Sequence, residues 1–152
     1  MALEFDAENY RRLDVPLEDE SMDMVMSTQV IENIEDHEKA AAELCRVLKP
    51  GGYALITVPH PPESFPNDGR FREGYTESDL AALFAPHGLK PLHTDYFLIR
   101  RTTDRMVSAS NLPAHGSIVP DAWVDAETHL NAEARRTDTP FSILMLSQKA
   151  AR

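Results

Sequence analysis

Cysteine is almost absent from this chain: Cys45 is the only one among 152 residues. No intramolecular disulfide can form, and a lone thiol among charged neighbours fits a reducing, cytoplasmic setting. With one cysteine, and six histidines (37, 60, 87, 93, 115 and 129) at no metal-ligand spacing, a structural zinc site is excluded and no metal is expected. Glycine is scarce too. The six glycines stand at 51, 52, 69, 74, 88 and 116, and no Gly-x-Gly occurs anywhere. That removes the glycine-rich turn of the dinucleotide and phosphate binders. No apolar run approaches the length that spans a bilayer, and the start MALEFDAENYRR has neither the basic end nor the apolar centre of a signal peptide. Basic residues are outnumbered, 15 to 25, for a formal charge of −10. Such a surface repels phosphate backbones, so nucleic acid is not an expected partner.

What is present is enough apolar residue, 42%, for one globular domain over 1–152. The stretch ELCRVLKPGGYALITVP is the most informative. Ala40, Ala41, Leu44, Val47 and Leu48 recur at helical spacing, and Asp36 is placed to cap that helix with its carboxylate. Pro50 cannot continue the helix, and Gly51 and Gly52 allow a tight reversal. Tyr53–Val58 is then a nearly unbroken apolar run, the pattern of a strand buried on both faces. Met24–Ser27 reads as an earlier strand. Thr76-Glu-Ser-Asp79 reads as a capping box opening a helix that Pro86 and Gly88 end. Leu92–Ile99 and Phe141–Leu146 read as two further strands, separated by an insertion over 101–140 in which Ala122–Arg136 has helical composition and contains Trp123. Strands alternating with helices predict an α/β sheet with crossover helices, its last two strands pairing antiparallel at one edge.

The run from Asp14 to Pro59, with Val15-Pro16-Leu17, the acidic turn Glu18–Ser21, Asp23, Val30-Ile31-Glu32-Asn33-Ile34, Asp36 and Arg46–Gly52, resembles the second half of a class I S-adenosylmethionine-dependent methyltransferase of the small-molecule type. GRFREGYTESDLAALFAPHGL resembles the same family further on. The resemblance implies a Rossmann-like three-layer α/β sandwich, reduced here to its C-terminal half, with a mostly parallel sheet and an antiparallel last strand. It also implies transfer of a methyl group from S-adenosylmethionine to a small molecule. The family's glycine-rich first turn is not in the chain. Two readings therefore stand side by side, an enzyme and an inactive methyltransferase-like module that dimerises or supports a partner. A nicotinamide-dependent dehydrogenase fits less well, because its own Gly-x-Gly-x-x-Gly is also missing.

Ligands of open α/β sheets bind outside the carboxyl ends of the strands. On that rule and the resemblance, Asp14, Val15, Ser27 and Gln29 are the cofactor-side candidates. His60, Arg72 and Tyr75 are the substrate-side candidates, with Arg70 beside them. His60 is the candidate base, since imidazole titrates near neutrality. Asn33 stands where the family commonly has histidine. Without the family's first strands, Met24–Ser27 would be a sheet edge, and the expected partner is a second copy paired through it. A longer enzyme whose other half comes from elsewhere is the competing expectation.

Overall fold

The structure is a computed structural model that describes residues 15–62, 71–99, 101–104 and 121–151. Asp14, Arg70, Arg100, the Leu3–Phe5 segment and the stretch 108–120 lie outside the described residues. The elements are β1 (Met22–Thr28), α1 (His37–Val47), β2 (Leu48–Pro59), α2 (Glu77–Phe84), β3 (Leu89–Ile99), α3 (Asp121–Thr128), α4 (Ala132–Thr137) and β4 (Pro140–Lys149).

The four strands form one sheet in the order β1-β2-β4-β3. β1 and β2 are parallel, and β4 runs antiparallel to both β2 and β3. Three strands thus point one way and the last is reversed, as expected. Their carboxyl ends and the start of β4 share one end of the sheet. β4 is interior because it slots between β2 and β3, which leaves β3 at the edge. Pro91 is tolerated there, next to a register shift between Pro91 and His93.

Alternation along the strands divides the sheet into two unlike faces. Val25, Ala54, Ile56, Val58, Ile143 and Met145 share one core cluster with Ala41, Cys45, Leu80 and Phe84 of α1 and α2. Burial there pushes the Cys45 thiol pKa up to about 11, so it is a core residue rather than a nucleophile. On the opposite face Met24, Met26 and Tyr53 are exposed.

Caps fall where the sequence placed them. The Asp36 carboxylate accepts from the Lys39 amide, and Thr76 with Asp79 forms a complete capping box. Gly88 takes the left-handed conformation after the turn that follows α2. The KPGG reversal is tighter than expected. Leu48 already pairs with Met22 and Tyr53 with Met24, so Lys49–Gly52 bulges opposite the single residue Asp23. β2 therefore begins at Leu48, not at Tyr53. Gly51, at φ 79°, supplies the positive φ that a Pro-Gly turn needs. Lys149 Nζ donates to the Cys45 and Leu48 carbonyls and so satisfies the end of α1 from the far strand.

Candidate functional site

The carboxyl end of the sheet begins at Gln29, directly after β1. Gln29 has φ 53°, a left-handed conformation unusual for a residue with a long side chain. It is held there from three sides. Its amide donates to the Thr57 carbonyl at 2.8 Å, its side-chain nitrogen donates to Ser142 Oγ at 3.1 Å, and its carbonyl accepts from Asn33 Nδ2 at 3.2 Å. One glutamine thereby ties β1, β2 and β4 together at this end. Uncommon backbone conformations that the surroundings over-determine concentrate at functional sites.

His60 stands one residue beyond β2, its amide donating to the Phe141 carbonyl at 2.7 Å. Its ring meets Tyr96 edge-on at 5.6 Å, and burial holds its pKa below the ordinary 6.5. His60 is therefore mainly neutral near pH 7, the form in which an imidazole accepts a proton. The Tyr96 hydroxyl donates to Glu77 at 3.1 Å, and the Arg136 guanidinium lies 5.7 Å from the Tyr96 ring centre.

Residues 71–75 form the neighbouring wall. The Phe71 amide donates to the Glu32 carbonyl, and Arg72 donates to the carbonyls of Ile34 and Glu35. The Tyr75 amide donates to the Pro59 carbonyl at 2.9 Å. Tyr75 is buried, and its hydroxyl is 2.8 Å from His37 Nδ1. Arg72 and Tyr75 therefore fasten this segment to the turn before α1 and to the end of β2, while His60 lies with Tyr96.

The remaining candidates are placed as follows. Ser27 is buried and its position alternates with Val25 on the face that α1 and α2 cover. The Val15 amide donates to the Glu43 carboxylate at 3.1 Å, and its carbonyl accepts from Arg46 at 2.9 Å. Arg46 also holds Glu43, Asp19 and the Leu17 carbonyl, so it pins residues 15–19 onto α1. Trp123 is half-buried. Arg135 pairs with Asp95 at 2.9 Å. Ser142, Thr57 and His37 join the site without having been singled out in the sequence. Ser142 lies 113 residues from its partner Gln29, a separation no local pattern bridges.

His37 carries a pH signature. Its pKa is lowered first by burial and then by the Arg72 guanidinium. Because the folded value is below the unfolded one, the unfolded chain takes up the proton first. Stability is complete above about pH 6.5 and declines as pH falls through that value toward the folded pKa. His60 acts in the same direction. His37→Gln should flatten the acid side of a plot of urea midpoint against pH, leaving His60's share. A slope equal to wild type would remove His37 from this account.

Comparisons with known proteins now bear on the site. The methyltransferase domain family matches residues 2–56. A "Probable S-adenosylmethionine-dependent methyltransferase" of Mycolicibacterium smegmatis is 43% identical over 47 residues, which is 31% of this chain and 18% of that protein. The demethylmenaquinone methyltransferase of Renibacterium salmoninarum is 38% identical over 69 residues, 45% of this chain and 27% of that one. The match therefore spans well under half of either curated relative. Among solved structures, a SAM-dependent methyltransferase from Archaeoglobus fulgidus has a TM-score of 0.59 at 14% identity, covering 97% of this chain and 66% of its own. The 4+2 cyclase SpnF has a TM-score of 0.60 at 18% identity, covering 92% and 55%. At those identities the likeness is one of fold, and a cyclase among the neighbours means that the fold alone does not name the reaction.

Proposed function

We propose, for a chain that shares the fold of class I S-adenosylmethionine-dependent methyltransferases and matches the methyltransferase domain family over residues 2–56, that the carboxyl end of β1 and β2 is where cofactor and methyl acceptor meet. In this reading the chain takes part in methyl transfer from S-adenosylmethionine to a small molecule. Gln29 carries the proposal, because the sheet commits three strands and an unusual backbone to fixing it at the end where open α/β sheets bind ligands. Ser27 and Val15 are proposed on the cofactor side as supports of that turn and of the 15–19 segment, with Asp14 beside Val15. His60 is the proposed base on the acceptor side, and Arg72 and Tyr75 hold the wall next to it.

The described residues fit one side of such a cofactor. They offer polar groups along the strand ends, but no glycine-rich strand-to-helix turn and no acid at a strand end placed for ribose hydroxyls. When bound, S-adenosylmethionine supplies an electrophilic methyl group. The residues named here orient an acceptor, exclude water through the 71–75 wall, and can take a proton at the His60 ring. The acidic surface supports a small acceptor rather than a nucleic acid. No helix among the described residues is long and apolar enough to cross a membrane, and we place the reaction in the cytoplasm.

A second reading has its own observation. Among the described residues β1 is an edge strand, and Met24, Met26 and Tyr53 are exposed beside one another on β1 and β2. An apolar edge is a template for another chain, so a homodimer joined through Met24–Ser27 is proposed as the alternative role, an inactive pairing module. Calorimetric titration with S-adenosylhomocysteine, after the mass in solution is determined, separates the two. The enzyme reading expects saturable binding that Gln29→Ala weakens about tenfold, a loss of roughly 1.4 kcal/mol. A well-folded dimer that binds nothing would overturn it in favour of the pairing module.

A further inference from the structure

No residue of α3 or α4 is fully buried. Their hydrogen bonds to the sheet are polar ties made by charged side chains. The Glu127 carboxylate receives two successive amides of the edge strand, Leu98 at 3.1 Å and Ile99 at 3.1 Å. Leu98 sits at φ 56°, a conformation that costs a bulky side chain and that turns the two amides toward one side. Successive amides arranged in this way form a concavity suited to an anion. Arg135 completes the attachment, donating to Asp95 at 2.9 Å and to the Glu127 carbonyl at 3.4 Å. Arg101 lies 4.0 Å from Asp138 as a weaker tie.

The apolar side of these helices adds little. Trp123 is half-buried and Val124 is exposed. The Arg101–Asp138 pair is exposed and contributes little to stability, the Arg135–Asp95 pair is half-buried, and segments with little apolar burial open locally at low cost. The contact lies at the carboxyl end of β3, the same end of the sheet as Gln29 and His60. An element so attached, in that position, can open without disturbing the core.

We propose that α3 and α4 form a detachable strap, that the Leu98 and Ile99 amides are a carboxylate site filled by the chain's own Glu127, and that a small organic carboxylate taking this site frees the strap. The strap would then answer to carboxylate ligands whether or not the chain transfers methyl groups. Glu127 acts as the internal competitor, and the distorted backbone at Leu98 keeps the site formed when Glu127 leaves.

Amide hydrogen exchange by NMR on the full chain tests this, comparing wild type with Glu127→Ala in sodium chloride and in sodium acetate at equal ionic strength. The expected result in chloride is exchange roughly tenfold faster at Leu98, Ile99 and across α3 in the variant, with Ala54 and Ile143 in the sheet interior unchanged. Acetate should slow Leu98 and Ile99 in the variant, and should speed α3 in wild type. Should Glu127→Ala prove poorly folded, Glu127→Gln keeps the side-chain length, removes the charge and carries the same comparison. Unchanged exchange at Leu98 and Ile99 in a folded variant would overturn the strap. Equal effects of acetate and chloride would overturn the carboxylate site.

Discussion

Replacing Phe84 with alanine should cost about 3–5 kcal/mol, the range for truncating a fully buried aromatic ring. The ring is 2% exposed at the end of α2 and belongs to the cluster that joins both helices to β2, β3 and β4. Alanine there loses the transfer free energy of the ring and leaves a cavity that the surrounding β-branched side chains cannot collapse to fill. For a domain of this length each kcal/mol lowers the melting temperature by about 2–4 °C, so the fall should be on the order of 10 °C. A urea unfolding curve checks it. A cost below about 1 kcal/mol would mean that α2 is not packed on the sheet as described.

Gly74→Ala should cost about 3 kcal/mol, and for a different reason. Gly74 has φ 148°, and a Cβ built on it would collide with the Pro59 carbonyl oxygen and stand 2.6 Å from its carbon. The obstacle is backbone, so no rotamer change relieves it. Either the 71–75 wall lifts or the end of β2 shifts, and the Tyr75 amide bond to Pro59 is lost in both cases. The damage should therefore concentrate beside His60. Crystallography or amide shifts of the variant should show displacement at 71–75 and at Pro59–His60, with β1 and α1 in place. A variant as stable as wild type, with the Tyr75 bond retained, would refute the close approach.

These two positions differ in how visible they were beforehand. Phe84 sits at helical spacing from Leu80 after a capping-box sequence, so periodicity marks it as core. Gly74 carries no such mark, because its need for hydrogen in place of Cβ arises from a strand end fifteen residues earlier. The same division runs through the chain. Asp36, Thr76, Asp79 and Gly88 act on neighbours within four residues, and their roles are readable from local pattern. Strand limits were less so. Leu48 and Leu89 enter their strands earlier than apolar runs suggest, since pairing with Met22 and Lys149 extends them past a turn and a proline. In the insertion, one helical composition became two helices because Asn131 caps the second by accepting from the Ala134 amide.

The site follows the same rule more strongly. Gln29 was singled out as a strand-end residue, but its left-handed backbone and its bond to Ser142 depend on β4 arriving between β2 and β3. Tyr75 and Arg72 were singled out as substrate-side candidates. Their partners, His37 at the start of α1 and the carbonyls of Ile34 and Glu35 just before it, are brought near only by the parallel crossover. The Glu127 contact depends on a φ value at Leu98 that nothing in its own sequence requires.

The ligand site proposed at the carboxyl end of β1 and β2 can be mapped in solution. The most direct measurement is an amide chemical-shift titration of the full chain with S-adenosylhomocysteine. Saturable shifts are expected at Gln29, His60 and Ser142, with Lys49, Gly51 and Gly52 at the opposite end of the sheet unmoved. Shifts confined to that opposite end, or to the exposed face of Met24, Met26 and Tyr53, would contradict it.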